Sequence, residues 1–219
     1  MIKILSRVLR RQRNTPPKKL YNQQLKLKIM KNLKRLFSIV ALIAIIATAA
    51  APQAQAKKKK DYKKAAQREE LIYQGNKCLE EGDYEQAVAY FEQSHKKGDV
   101  RGTNNLAVCY AEGKGVEKSL TMAFKLYEKA AKKGYTDSQV ALGEMYKNGY
   151  GCKQDYKKAI QWFEKAAKQG DSDAMYLIGT CYYYGGYGIK KDVQKAKEWI
   201  SKSAALGNET AIDNLPKLK

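Results

Sequence analysis

The chain has 219 residues, a formal net charge of +20, one histidine, four cysteines and two tryptophans. Residues 1–56 contribute +12 and residues 57–64 another +5, which leaves only +3 for residues 65–219. A basic stripe on the folded body is the usual mark of a nucleic-acid binder; with the charge held in an N-terminal arm, the composition argues against nucleic acid as a partner.

Residues 1–29 are basic and polar and contain Pro16-Pro17. They read as an upstream extension preceding a second start at Met30, or as a long basic leader region. Residues 36–51 form an uncharged, mostly apolar run behind Lys31, Lys34 and Arg35. Ala54-Gln55-Ala56 follows. A basic flank, a short apolar core and an A-x-A end predict a signal peptide over 30–56, cut after Ala56. The alternative is an uncleaved membrane anchor, against which the core falls short of the ~20 apolar residues of a span. The tetralysine Lys57–Lys60 works the other way, because positive charge there favours retention. Residues 57–64 then predict a solvated Lys-rich linker. The expected location is outside the cytoplasm, periplasmic or secreted.

Residues 65–99 predict a helix pair in which Gly75, Ala87 and Phe91 hold tetratricopeptide-like positions. Beyond it the chain repeats itself. Gly98, Gly134, Gly170 and Gly207 lie 36, 36 and 37 residues apart, closing the phrases YFEQSHKKG, LYEKAAKKG, WFEKAAKQG and WISKSAALG. A fixed period of this length predicts an all-α solenoid of stacked helix-turn-helix units, each unable to bury both of its faces alone. The units run 100–135, 136–171 and 172–208. In the second, Val140, Leu142, Met145 and Tyr146 mark the first helix, and Gly149-Tyr150-Gly151 breaks it. Asp155 caps a second helix with Ala159, Trp162, Phe163, Ala166 and Ala167 on one side, and Gly170 ends it. The third unit holds one extra residue, in the loop Gly185-Gly186-Tyr187-Gly188. Residues 209–219 start another first helix, with Ala211 and Leu215 at apolar sites, and stop at Pro216 to form a cap. Gly143 and Gly179 are expected to let helix backbones approach closely.

The phrase Leu142-Gly143-x-x-Tyr146-x-x-Gly149-x-Gly151, continued by Asp155-x-x-Lys158-Ala159-x-x-Trp162-Phe163-x-Lys165-Ala166-Ala167-x-x-Gly170, resembles the Sel-one-like repeat, a relative of the tetratricopeptide repeat. The resemblance covers residues 100–208, with 65–99 as a divergent unit that lacks the Gly-x-Gly loop. It implies an α/α superhelix whose first helices line a concave, partner-binding face. Carried over position by position, that face comprises Asn76, Leu79, Glu80, Asn104, Val108, Glu112, Glu144, Lys147, Asn148, Tyr176, Thr180 and Tyr183. Such a polar row suits a protein or peptide better than an apolar small molecule.

Chemistry-bearing residues are sparse. His95 has no companion at catalytic or metal-ligand spacing and reads as structural or surface. Cys78, Cys109, Cys152 and Cys181 occupy repeat positions that do not pair regularly, so buried free thiols are expected. Gly113/Gly115, Gly149/Gly151 and Gly185/Gly188 follow helices, where a nucleotide loop would follow a strand, and read as turns. Tyr183, Tyr184 and Tyr187 fall outside the apolar pattern and form a candidate binding platform or a packed loop. The leading expectation is therefore a non-enzymatic scaffold or adaptor without cofactor. The alternatives are an exported hydrolase of the cell wall or of β-lactams, for which no catalytic constellation is visible, and a membrane-surface protein held through Lys57–Lys60.

Overall fold

The computed structural model describes residues 30–31, 55–186 and 188–218. The chain divides into two units, Met1–Lys63 and Lys64–Lys219. In the first unit the described residues are helical and exposed, Ala56 and Lys57–Lys60 among them. The expected linker is thus solvated but helical. Its physical reason is composition: Lys and Ala are good helix formers, and no Gly or Pro interrupts them. The apolar run 36–51, Ala54 and Tyr187 lie outside the described residues.

The second unit is a run of antiparallel helices. Residues 64–81 form α1, followed by α2 (Tyr84–Lys96), α3 (Val100–Glu112), α4 (Leu120–Lys132) and α5 (Thr136–Asn148). Then come α6 (Tyr156–Ala167), α7 (Ser172–Tyr184), α8 (Val193–Ala205) and α9 (Glu209–Asn214), closed by a 3-10 turn at Leu215–Lys217. From α2 on, each helix packs on the next one in sequence. That is the nearest-neighbour organisation of a solenoid. First helices are the odd-numbered ones and second helices the even-numbered ones.

Caps fix where these helices start. The Asp83, Asp99, Ser119, Asp155, Asp171, Asp192 and Asn208 side chains each accept a hydrogen bond from a backbone N–H of the first turn. Such a cap satisfies a donor that no helix can satisfy internally. α5 is the exception, since Tyr135 offers no side-chain cap.

In three of the four units the core pairs a large residue on the second helix with a glycine on the first; in the unit 100–135 the buried Ala107 holds the glycine's place. A Cβ at Gly143 would overlap the Phe163 ring, and one at Gly75 the Phe91 ring; both rings are fully buried. At Gly179 the neighbours are Ile200 Cγ1 and, at 3.1 Å, the Ala196 carbonyl oxygen. The glycines therefore make room chiefly for a neighbouring side chain, where the sequence had suggested backbone-to-backbone approach. Volume is conserved by pairing the smallest residue with a large one.

The turns lock one unit to the last. Gly115 has φ 69° and its missing Cβ would strike the carbonyl of Tyr84; Gly151 has φ 68° and faces the carbonyl of Leu120 in the same way. Tyr84 and Leu120 open the second helix of the preceding unit. In the third unit the extra loop residue changes the contact: Gly188 faces the flexible Lys157 side chain at 3.2 Å. At the C-terminal end Ala211 is buried and Leu215 half-buried, while Ile212 stays 50% exposed.

Candidate protein-binding surface

The first helices α1, α3, α5 and α7 supply the predicted row, and the structure divides it. Glu80, Glu144 and Asn148 are exposed. Asn76 is exposed, and its Oδ1 accepts a hydrogen bond from Asn105 Nδ2 at 3.1 Å, which ties α1 to α3. Glu112 pairs with Lys114 at 2.7 Å across the start of the loop. Leu79 and Val108 are half-buried and pack on the core.

Asn104 does not belong to the surface. It is 8% exposed, and its Oδ1 accepts a bond from Ser138 Oγ at 2.8 Å. Two polar groups buried between α3 and α5 satisfy each other there, which is the condition for burying them at all. The position that is concave and open in the repeat pattern is closed here by the next unit's serine.

Lys147, Tyr176 and Thr180 do meet. With Tyr156, Leu177, Cys181 and Tyr184 they line a groove of about 270 Å³ between α5, α6 and α7. Lys147 is the only charged residue of the lining. Tyr184 is 73% exposed and forms an edge-to-face pair with Tyr183, ring centroids 5.1 Å apart and planes at 84°. Tyr183 itself turns toward the loop, half-buried, with Lys191 Nζ 5.2 Å from its ring centre. Tyr176 is half-buried, and its hydroxyl accepts a bond from Asn214 Nδ2 of the cap at 3.0 Å. Thr180 Oγ1 bonds the Leu177 carbonyl at 2.8 Å. Among the described tyrosines of the prediction, Tyr176, Tyr183 and Tyr184, the last is the most exposed. Tyr156, which starts a second helix, was not legible as a groove residue because only stacking carries it to the next first helix.

The other chemistry-bearing residues have structural partners. His95, read as structural or surface, is held by two side chains. Its Nδ1 lies 3.0 Å from Thr103 Oγ1 and its Nε2 3.1 Å from Lys129 Nζ. Thr103 Oγ1 already donates to the Asp99 carbonyl, so it accepts from Nδ1–H, and Nε2 is left to accept from the lysine. Burial and the Lys129 and Lys133 charges hold the imidazole below its ordinary 6.5. Arg101 joins Asp99 at 2.9 Å and Glu69 at 2.8 Å, linking α3 to α1. Burial pushes the Asp99 carboxyl up, but its bonds to Arg101 outweigh this and hold it below 3.8. The four cysteines are unpaired, with Cys78, Cys109 and Cys181 buried and Cys152 half-buried. Burial raises the Cys181 thiol to about 11. Among the described residues no group of three or more His, Cys, Asp or Glu side chains is placed to hold a metal ion. Nor is any described helix long and apolar enough to cross a membrane.

These features define an α-solenoid of helix-pair repeats with a polar, tyrosine-bearing first-helix face. The chain belongs to the Sel1 repeat family, whose model matches residues 70–99, 100–135, 136–171 and 172–208. The matched segments include 70–99, which lacks the Gly-x-Gly loop. Repeats of this family generally mediate contacts between proteins.

The chain is similar to a Sel1 repeat protein from Oxalobacter formigenes, with 35% identity and a TM-score of 0.60 over 66% of this chain and 58% of that one. It is also similar to c5321, a protective antigen of uropathogenic Escherichia coli with an SLR fold (28% identity, TM-score 0.40, 67% of this chain and 40% of that one). A third is Helicobacter pylori cysteine rich protein B (26% identity, TM-score 0.46, 60% and 93%). The chain thus spans little more than half the length of the Oxalobacter protein and less than half of the Escherichia coli one. No curated protein matches it.

Proposed function

We propose that the chain is a non-enzymatic scaffold or adaptor that binds a protein or peptide through its first-helix face, and that it works outside the cytoplasm. The observation that carries this reading is the groove of Lys147, Tyr156, Tyr176, Leu177, Thr180, Cys181 and Tyr184. It offers a single cation and several amphipathic rings on a rigid helical frame, the composition of a protein-contact surface. The buried Cys181 thiol is shifted away from the reactive thiolate, and His95 is spent on Thr103 and Lys129 on a different pair of units. Export rests on the sequence of residues 30–56.

The test is affinity capture from the cell envelope with the chain and with a Tyr184→Ala/Lys147→Ala variant. A protein retained by the parent and lost from the folded variant is the expected result. Equal capture by both would remove the groove from the interface. N-terminal sequencing of the chain recovered from its own cells checks export, with Lys57 as the expected first residue.

A further inference from the structure

The near-balanced charge of the repeat body hides a division between its two helix layers. The second helices α4, α6 and α8 each carry three lysines and one glutamate. The first helices α3, α5 and α7 together carry two basic and four acidic residues. Eight of those nine lysines are exposed, and Lys133 and Lys168, which close α4 and α6, add to them. The face begins at α4, because α2 has Glu85 and Glu92 against Lys96.

Two further observations lie on the same layer. The chain's only tryptophans, Trp162 and Trp199, sit half-buried on α6 and α8. Lys165 Nζ lies 3.5 Å from the ring centre of Trp162, and Lys202 Nζ 4.6 Å from that of Trp199. Beside Trp199, a cleft of about 470 Å³ is lined by Glu164, Ala167 and Lys168 from α6 and its end, with Met175 of α7 at its inner side.

We propose that this second-helix face docks on an anionic lipid bilayer. Clustered lysines are drawn to such a surface by its negative potential, and indoles settle at the headgroup level with one edge apolar and one wet. Trp162 and Trp199 pack against the core with their inner edges, so when the cations resting on the rings transfer to headgroup phosphates it is the outer part of each indole that meets the interface. The three helices contain no arginine. Lysine acts as a point charge without the planar fork that reads bases and phosphates bidentately, so the chemistry favours a diffuse charged surface over a nucleic acid. The docking leaves the first-helix face free for protein, and it is independent of Lys57–Lys60.

The experiment is co-sedimentation with vesicles of phosphatidylglycerol and phosphatidylcholine, against phosphatidylcholine alone, with tryptophan emission recorded in parallel. Binding that needs the anionic lipid, weakens as salt rises and shifts the emission to the blue is expected. Brominated lipid should quench the emission of the unaltered chain, a readout that needs no mutation. The variant Lys132→Gln/Lys165→Gln/Lys168→Gln/Lys202→Gln, with its helical circular dichroism intact, should bind about tenfold more weakly or worse. Replacing Lys57–Lys60 with glutamine should leave the emission shift in place. Sedimentation without shift or quenching would overturn the proposal, as would parent-like binding by the four-lysine variant. So would duplex DNA that binds more tightly than the vesicles with the same lysine dependence. Loss of partner capture in the groove variant of Tyr184 and Lys147, with vesicle binding unchanged, keeps the two surfaces distinguishable.

Discussion

Gly151, in the turn of one repeat, lies against the carbonyl of Leu120, the first residue of the second helix in the repeat before it. The approach is closer than any side chain permits, and φ at Gly151 is 68°. Steric space and backbone conformation thus demand glycine independently. Gly151→Ala should cost about 3 kcal/mol. Gly188→Ala in the third turn, where φ is 91° but the contact is the flexible Lys157 side chain at 3.2 Å, should cost less, about 1 kcal/mol. Urea denaturation of both variants measures the difference, and equal losses would show that the turn does not lock the units.

Gly143 and Phe163 form a second coupled pair. Gly143→Ala drives a methyl into the ring and should cost about 1–3 kcal/mol. Phe163→Leu alone should cost about 1–2 kcal/mol for lost packing. The double variant should be more stable than the sum predicts, by at least about 0.5 kcal/mol, because the smaller side chain vacates the space the methyl needs. Strict additivity in a double-mutant cycle would deny the contact.

His95 is the only histidine, so its proton resonances titrate without overlap. Burial and the Lys129 and Lys133 charges disfavour its cation in the folded chain, which places its midpoint below 6.5. The unfolded chain then binds the proton more readily. The stability His95 contributes is therefore present above 6.5 and is lost as pH falls through the lower folded value. An NMR titration with a midpoint at or above 6.5 would contradict the geometry. His95→Gln should flatten the stability profile on the acid side of 6.5.

Asn104 and Tyr184 separate stability from binding. Asn104→Ala leaves Ser138 Oγ without its buried acceptor and should destabilise the chain by about 1–3 kcal/mol, with partner capture unchanged once folded. Tyr184→Ala, at an exposed site, should alter stability by no more than about 0.5 kcal/mol and should weaken capture. Thermal melts and capture assays on the same two proteins give the four values.

Thiol alkylation followed by mass spectrometry should modify Cys152 first and Cys181 last. Cys152 is half-buried, with Sγ 3.5 Å from the Met145 carbonyl. Cys181 is 1% exposed with its thiol raised to about 11. The thiolate is the reacting species, so burial slows the reaction both by access and by ionisation. Faster labelling of Cys181 than of Cys152 in the folded chain would mean that α7 opens locally.

The amino-acid sequence by itself determined the repeat period, the helix ends and the all-α solenoid. These are local properties: Gly98, Gly134, Gly170 and Gly207 all adopt positive φ, and Asp155 and Asp192 accept bonds from their own first turns. Both can be read within a few residues of chain. The groove, the partners of His95 and the burial of Asn104 were decided only by stacking. Asn104 meets Ser138 across 34 residues, and His95 meets Lys129 across 34. A repeat pattern names equivalent positions but not which unit's side chain fills the gap next door. Lys147 illustrates the division: its place on a first helix follows from the period and from Gly149, which ends that helix at φ 74°, whereas its company of Tyr156, Tyr176 and Tyr184 exists only once successive units pack. The basic second-helix face has the same origin, since charges spread evenly along the chain become one-sided only when alternate helices form a layer.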